Sequence, residues 1–512
     1  MFDCFKWCVC CSVLLLLPIA LTPVTASAAE VQAGSAGEVR EFDYSFNVPE
    51  KQSLTGLTGK SEISVLADVD GQFTRSLVEN RISEESPAGQ VDEATLLESI
   101  RAGRSFSRDS LAAQARTEQS KAQTGQALAL LLPSVSVHGN YGLENSQPSV
   151  LVDAAGNAIA SDTHSRTDAA FTARQTLFDL PSLLDWRRRK VLEEARGENY
   201  RATDGDAYLA AANAYLTLVS SRLQVDMTRD FEAQLGNLLN YIEKRVQAGA
   251  SSVSDMARVR ARCESTLSSR LEQESALAAA GIEFIRLTNL VPRKVRLPVL
   301  EDVGASSLPK SFSSAVATAM KYNPEITGLA AELRAADIDT SSAKGRYLPR
   351  FSTEYTDTYS IHAGGATSSQ RDKRLMAVLD WNLFNGGGDY KAIAERNARQ
   401  QELRYHLDDQ RRRIVQALSA NYATLAATTE RIASGYKELK SISTAAEAMS
   451  KRMLSGNQSL LDLLDVYDRF YQARSRLVTL HVQEMSTVAQ LIRLTMGVPG
   501  RAPEIVAEPR QR

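Results

Sequence analysis

From Arg374 to Asp389 the chain reads in two parts. Leu375, Ala377, Leu379, Trp381 and Leu383 alternate with Met376, Val378, Asp380, Asn382 and Phe384. A period of two predicts a β-strand whose two faces meet different surroundings. Asn385-Gly386-Gly387-Gly388 ends the alternation, and its glycines let strand become helix at backbone angles other residues avoid. From Asp389 a helical period continues for roughly sixty residues. It turns at Gly456 and returns from Ser459 to Thr495.

The same order of elements occurs earlier. Residues 92–100 predict a short helix, and 105–132 a longer one stopped by Pro133. A β-hairpin follows at 134–178, with strands at 134–141 and 168–178 around a polar loop at 144–167. A helical hairpin occupies 183–289 and turns at Gly249. Residues 293–310 read as a linker. After it come a short helix at 311–322, a cap at Asn323-Pro324-Glu325 with proline in the first helical position, and a helix ending at Tyr347-Leu348-Pro349. The second β-hairpin, 351–385, has a strand at 351–361 and a polar loop at 362–373, and the second helical hairpin is 389–495.

A constant offset tests the repetition. Adding 207 takes Tyr215 to Tyr422, Leu218 to Leu425, Arg245 to Arg452, Gly249 to Gly456 and Asp255 to Asp462. It also takes Arg286, Leu287 and Thr288 to Arg493, Leu494 and Thr495. The chain is a tandem duplication, with repeats at 91–292 and 311–499. The long helices carry apolar stripes at steps of three, four or seven. One holds Ile414, Leu418, Tyr422, Leu425, Ile432, Tyr436, Leu439, Ala446, Met449 and Met453; its partner holds Leu460, Leu464, Tyr467, Tyr471, Val478, Met485, Val488 and Ile492. These are packing seams. Helices this long predict two antiparallel hairpins instead of one compact core.

Composition narrows the class. The formal charge of −2 over 512 residues gives no nucleic-acid signal. Residues 1–28 read as a secretory signal peptide: Lys6, the apolar run Val13 to Leu17, then Ala26-Ser27-Ala28. Cys4, Cys8, Cys10 and Cys11 precede or abut that run and Cys263 stands alone, so neither a lipid-anchored mature terminus nor a disulfide framework is expected. Residues 29–90 read as an acidic, disordered extension and 500–512 as a tail. No later stretch reaches the ~18 apolar residues of a membrane helix, so any membrane insertion must use strands. Four strands cannot close a barrel, which leaves a soluble sheet or strands pooled from several chains.

The duplicated helix–hairpin–helix layout, Tyr347-Leu348-Pro349 before a strand, and Trp381-Asn382-Leu383-Phe384-Asn385-Gly386-Gly387 at the strand–helix corner resemble the TolC family of outer-membrane channel proteins. Arg452-x-x-x-Gly456 followed by Ser459 to Asp465 is similar to that family's second tip turn. The resemblance covers residues 91–500. It implies a mainly α fold with membrane β-strands: a homotrimeric, twelve-stranded outer-membrane β-barrel continued by a long periplasmic α-helical barrel. It also implies a periplasmic adaptor (membrane fusion) protein, an inner-membrane ABC or RND transporter and outer-membrane lipid as partners. The Trp381 corner looks more like the type I protein-secretion members than the drug-efflux members.

Carried over by position, Asp462 and Asp465 match the family's carboxylates at the periplasmic entrance. Spaced i, i+3, they share a helix face, and three copies would ring the mouth with carboxylates that favour cations and are blocked by multivalent ones. Asp255 is the same position in the first repeat. The plain alternative is solvated aspartates on exposed helices. In related channels this aspartate ties to an Arg and a Tyr that hold the tip shut. Here the matching positions are Gln458 and Met453, so the tip is expected to be held shut differently, or less firmly. The turns at Gly249 and Gly456, with Arg245 and Arg452, are the implied adaptor contacts, or simple turns. Trp381 and Phe384 read as a membrane-interface girdle or as corner packing, and Asn385, Gly386 and Gly387 as conformational.

An enzyme is not expected. The five histidines show no metal spacing, no nucleophile–base arrangement converges, and Gly386-Gly387-Gly388 lacks the Lys-Ser/Thr of a phosphate loop. No cofactor is implied. The rival of another class is a soluble periplasmic coiled-coil scaffold. Within the channel class, the alternative to protein secretion is small-molecule efflux.

Overall fold

The computed structural model describes residues 89–145, 163–365, 369–454 and 459–498. The expected signal peptide, residues 29–88 of the expected extension, Gly456, Gln458 and the tail at 500–512 lie outside them.

The first described element starts at Gly89, and residues 92–100 do not form the expected helix. Gly89–Ala94 is a strand, β1, and helix α1 spans Leu96–Phe106. Thr95 sets the boundary. Its hydroxyl accepts from the Glu98 N–H while the Glu98 carboxylate accepts from the Thr95 N–H, a capping box that starts a helix one residue later. β1 is therefore free to pair in parallel with β4, Leu290–Val295, at the start of the expected linker. The rest of that linker carries two short 3-10 turns, Leu300–Val303 and Ala305–Ser307. Tyrosines hold these pieces to the long helices. The buried Tyr215 hydroxyl lies 2.9 Å from the Ala94 carbonyl and 2.6 Å from that of Arg296, and Tyr208 donates to Val303 at 2.8 Å. In the second repeat Tyr422 donates to Pro309 at 2.6 Å. Tyr215 and Tyr422 are equivalent under the 207 offset, so one side chain does the same task in each half.

The remaining elements follow the predicted order with shifted ends. Helix α2 is Arg108–Ala129, β2 Ser134–Glu144 and β3 His164–Phe178. Helix α3, Leu180–Gln247, begins at an Asp179 cap with Pro181 in its first turn, and α4 is Val253–Thr288. In the second half α5 is Phe312–Tyr322 and α6 Pro324–Gly345. The Asn323 side chain accepts from the N–H groups of Glu325 and Ile326. Strands β5, Arg350–Ile361, and β6, Ser369–Asp380, lead to α7, Gly388–Leu454, and α8, Leu460–Met496. At 1.5 Å per residue α3 and α7 each run roughly 100 Å.

β2, β3, β5 and β6 form one antiparallel sheet in that order. Both hairpins are longer than the alternation suggested, because β3 and β6 take residues from the expected loops at 144–167 and 362–373. β6 also ends sooner. Asp380 pairs with Arg350, the first residue of β5, and Pro349 before it has no N–H to offer a ladder. Residues 381–384 leave the strand.

The α7 stripe is buried as a seam, but over most of its length it meets α8 residues beside the expected partner stripe, which turns instead toward α3. Ile414 and Leu418 of α7 cluster with Leu491 and Leu494 of α8, and Leu439 with Ala473 and Leu477. Each such side chain contributes about 1.5–3 kcal/mol when fully buried. The seam also crosses between repeats: Tyr215 and Val219 of α3 share a core with Met485, Val488 and Ile492 of α8. At the far end Leu238 and Ile242 meet Met453, Leu460 and Leu463. Gly205 of α3 sits against the turn that ends α8. A Cβ there would lie 2.8 Å from the Gly497 carbonyl oxygen, a backbone atom that cannot swing aside. Gly205→Ala should therefore cost about 1–3 kcal/mol, read as a lowered thermal unfolding midpoint of the detergent-solubilised chain; an unchanged midpoint would mean the two repeats are not fitted closely here.

Candidate functional site

The sheet has two chemically distinct faces. Pairing places Val137, Phe171, Tyr355, Leu375, Ala377 and Leu379 on one side. Val137 and Leu375 are more than 70% exposed although apolar, in a face with no helix over it. The other side carries Ser136, His138, Thr172, Arg174, Thr356 and Arg374. An apolar face turned outward and a polar face turned inward is the pattern of strands between lipid and an aqueous lumen. On the lipid side a cation near the bilayer midplane costs roughly 2–4 kcal/mol. Charges on that face are confined to Asp357, Arg371 and Lys373 among the described strand residues, toward the loop end.

At the strand–helix corner Trp381 is tied at one edge and open on the rest. Its indole N–H donates to the Tyr347 carbonyl at 3.1 Å, while the residue stays 54% exposed. Phe384 is 82% exposed. Gly386 and Gly387 have φ of +54° and +80°, and the Gly388 N–H donates to the Asn385 carbonyl at 2.8 Å. The glycines are conformational, as their residue type requires.

At the opposite end of the long helices, α3 stops in a paired-carbonyl turn: Ala250 N–H donates to Arg245 O and Gly249 N–H to Val246 O. Arg245 folds back over the Tyr241 ring and donates to the Ala250 carbonyl at 3.1 Å. It braces the turn it was expected only to present. Arg452 lies in the last turn of α7. Asp255 sits in the first turn of α4, 3.8 Å from Arg258 of its own helix. Asp462 and Asp465 are exposed on the first two turns of α8 while Leu463 between them is buried, and Asp465 pairs with Arg469 at 2.9 Å.

Two ties between the helical hairpins escaped the sequence reading. The Tyr241 hydroxyl donates to the Met453 carbonyl at 3.3 Å, so the latch position occupied by methionine is reached through its backbone. The Arg262 Nε donates to Asp468 at 3.0 Å, joining α4 to α8. Nothing in the spacing marks that pair, since its partners meet only when the two repeats lie side by side. Higher on the same surface Thr228 bonds the Tyr471 hydroxyl at 2.8 Å and Phe231 stacks on the Tyr471 ring.

Along α4 two groups are shifted by their surroundings. Burial alone would raise the Glu274 carboxyl, yet hydrogen bonds from Arg229 and Arg270 hold it below its ordinary range. Burial, with Glu264 and Glu232 nearby, pushes the Cys263 thiol up and makes it a poor nucleophile.

If Arg262 and Asp468 act as one tie, Arg262→Ala and Asp468→Ala should each speed hydrogen exchange at the tips of α4 and α8. The double variant should exceed either single one by less than ~0.5 kcal/mol; full additivity would mean that the two side chains act independently.

The outer membrane efflux protein family model matches residues 104–290 and 315–497, one match in each repeat. The alkaline protease secretion protein AprF of Pseudomonas aeruginosa is 22% identical over 346 residues, covering 66% of this chain and 71% of that protein. The pyoverdine export outer membrane protein OpmQ of Pseudomonas putida is 23% identical over 418 residues, covering 78% and 85%. A crystal structure of CusC superposes with a TM-score of 0.69 at 17% identity, covering 82% of this chain and 96% of that one. That last likeness is one of fold.

Proposed function

Because the chain belongs to the outer membrane efflux protein family, we propose that three copies pool their sheets into one twelve-stranded barrel and their long helices into a tube beneath it. The protein is an outer-membrane efflux channel with a periplasmic tunnel, and channels of this family work in tripartite machines with an adaptor and an inner-membrane transporter. The observation that supports assembly is the open sheet, and the number three comes from the family. β2 and β6 end it within the chain, and an unpaired edge is not tolerated in hydrocarbon. Trimeric closure pairs β2 of one copy with β6 of the next.

In this assembly Asp462, Asp465 and, one hairpin away, Asp255 line the periplasmic mouth. The tie from Arg262 to Asp468 and the bond from Tyr241 to Met453 replace the latch that Gln458 and Met453 do not supply in their side chains. The turns at Gly249 and Gly456 meet the adaptor, with Arg245 shaping the first of them. Type I protein secretion is the favoured task. It is supported by the corner from Trp381 to Gly387 and by the similarity to a protein named for protease secretion. Small-molecule export is the second reading, favoured by the longer match to a pyoverdine exporter. A strain lacking the chain separates them: retained secreted protein supports the first, and retained or more toxic small molecules support the second.

The entrance assignment has its own test. In planar bilayers the wild-type channel should be cation-selective and blocked by multivalent cations. Asp462→Ala/Asp465→Ala should weaken that block at least tenfold, as removal of about 1.4 kcal/mol of binding would. An unaltered block would take the ring away from these residues.

A further inference from the structure

The apolar face of the sheet stops at a definite level on its second hairpin. Along β6 the outward positions are Leu379, Ala377 and Leu375, and then Lys373 and Arg371. Directly across on β5, Asp357 pairs with Lys373 in register, between Tyr355 and Tyr359 on the same face. Arg371 donates from Nε to one Asp357 oxygen at 2.9 Å and from Nη2 to the other at 2.7 Å. Lys373 Nζ lies 4.0 Å from the second oxygen. The carboxylate is largely covered, its side chain 16% exposed, while Arg371 and Lys373 are 60% and 55% exposed. A fixed fork on one side thus leaves the remaining guanidinium and ammonium donors facing out.

Three charges on a lipid-facing surface are tolerated only where headgroups replace hydrocarbon, and Tyr359, opposite Arg371, marks the same level. This level lies toward the β5–β6 connection, at the end of the strands away from α6 and α7, so under the channel reading it is the outer leaflet. Two cations against one carboxylate leave an uncompensated positive charge there. Oriented guanidinium and ammonium donors match phosphate oxygens. The geometry points to a binding site for the phosphate groups of an outer-leaflet glycolipid, built by Arg371 and Lys373 and held in place by Asp357. This inference rests on the channel reading for its orientation and adds a lipid contact to it. Three copies would place three such sites around the barrel rim, each tying the second hairpin to the lipid layer.

The test uses the full-length chain in detergent with fluorescent bis-phosphorylated lipid A as the probe. Arg371→Gln/Lys373→Gln should bind it roughly thirtyfold more weakly than wild type, the loss expected for two basic groups at a membrane surface. Arg371→Lys/Lys373→Arg keeps both charges and should stay within about threefold, which separates lost charge from a damaged fold. Dephosphorylated lipid A, phosphatidylglycerol and inorganic phosphate should each compete poorly. Equal binding by wild type and the glutamine variant overturns the site, and equal competition by phosphatidylglycerol overturns its assignment to the outer leaflet. A trimer that inserts and conducts but ignores lipid A overturns this inference alone; a chain that never inserts into bilayers overturns it together with the channel reading.

Discussion

A backbone N–H or C=O left without a partner in hydrocarbon costs roughly 2–7 kcal/mol, and the sheet of this protein ends in two strands full of them. β3 and β5 are paired on both sides within the chain, whereas β2 and β6 are paired on one side only. The faces of the sheet are already those of a membrane wall, apolar outward and polar inward. The chain therefore holds a wall segment suited to lipid in its surfaces but not in its edges. Assembly supplies what the edges lack.

The helices obey a different constraint. α3 and α7 are far longer than a single core can cover, and they are stabilised by seams along their length. Because α3 packs on α8 as well as on α4, the repeats are fitted together within one chain before any copy meets another. Gly205 against Gly497, and Arg493 reaching both Asp206 and Glu325, fix the upper part of that fit. Arg262 with Asp468 fixes the lower part. The tip is held by a short apolar cluster and by the bonds from Tyr241 and Arg262.

Much of this was legible in the residues. Period-two alternation marked the hairpins, the constant offset marked the duplication, and Asn323-Pro324 marked a helix start where one stands. The misses have local causes. β1 was hidden because its parallel partner lies about two hundred residues away, and because Thr95 and Glu98 begin a helix later than the apolar pattern implies. The strand ends at 164–167 and 369–373 looked like loop because they are polar, and the second carries Arg371, Asp372 and Lys373. Charge is what a strand needs at a lumen or a headgroup layer. At the tip, Asp465 and Arg245 were visible as residues, but their engagement with Arg469 and with the turn was not. Such pairings depend on rotamers and neighbours that no spacing encodes.

The central claim is that the two outer strands are paired by other copies once the protein is in a bilayer. Hydrogen exchange of the backbone amides in the membrane-reconstituted protein measures this directly. The account predicts that outward-edge amides of β2 and β6 are protected as strongly as those of β3 and β5. Rapid exchange along either edge, with the interior strands protected, would contradict it.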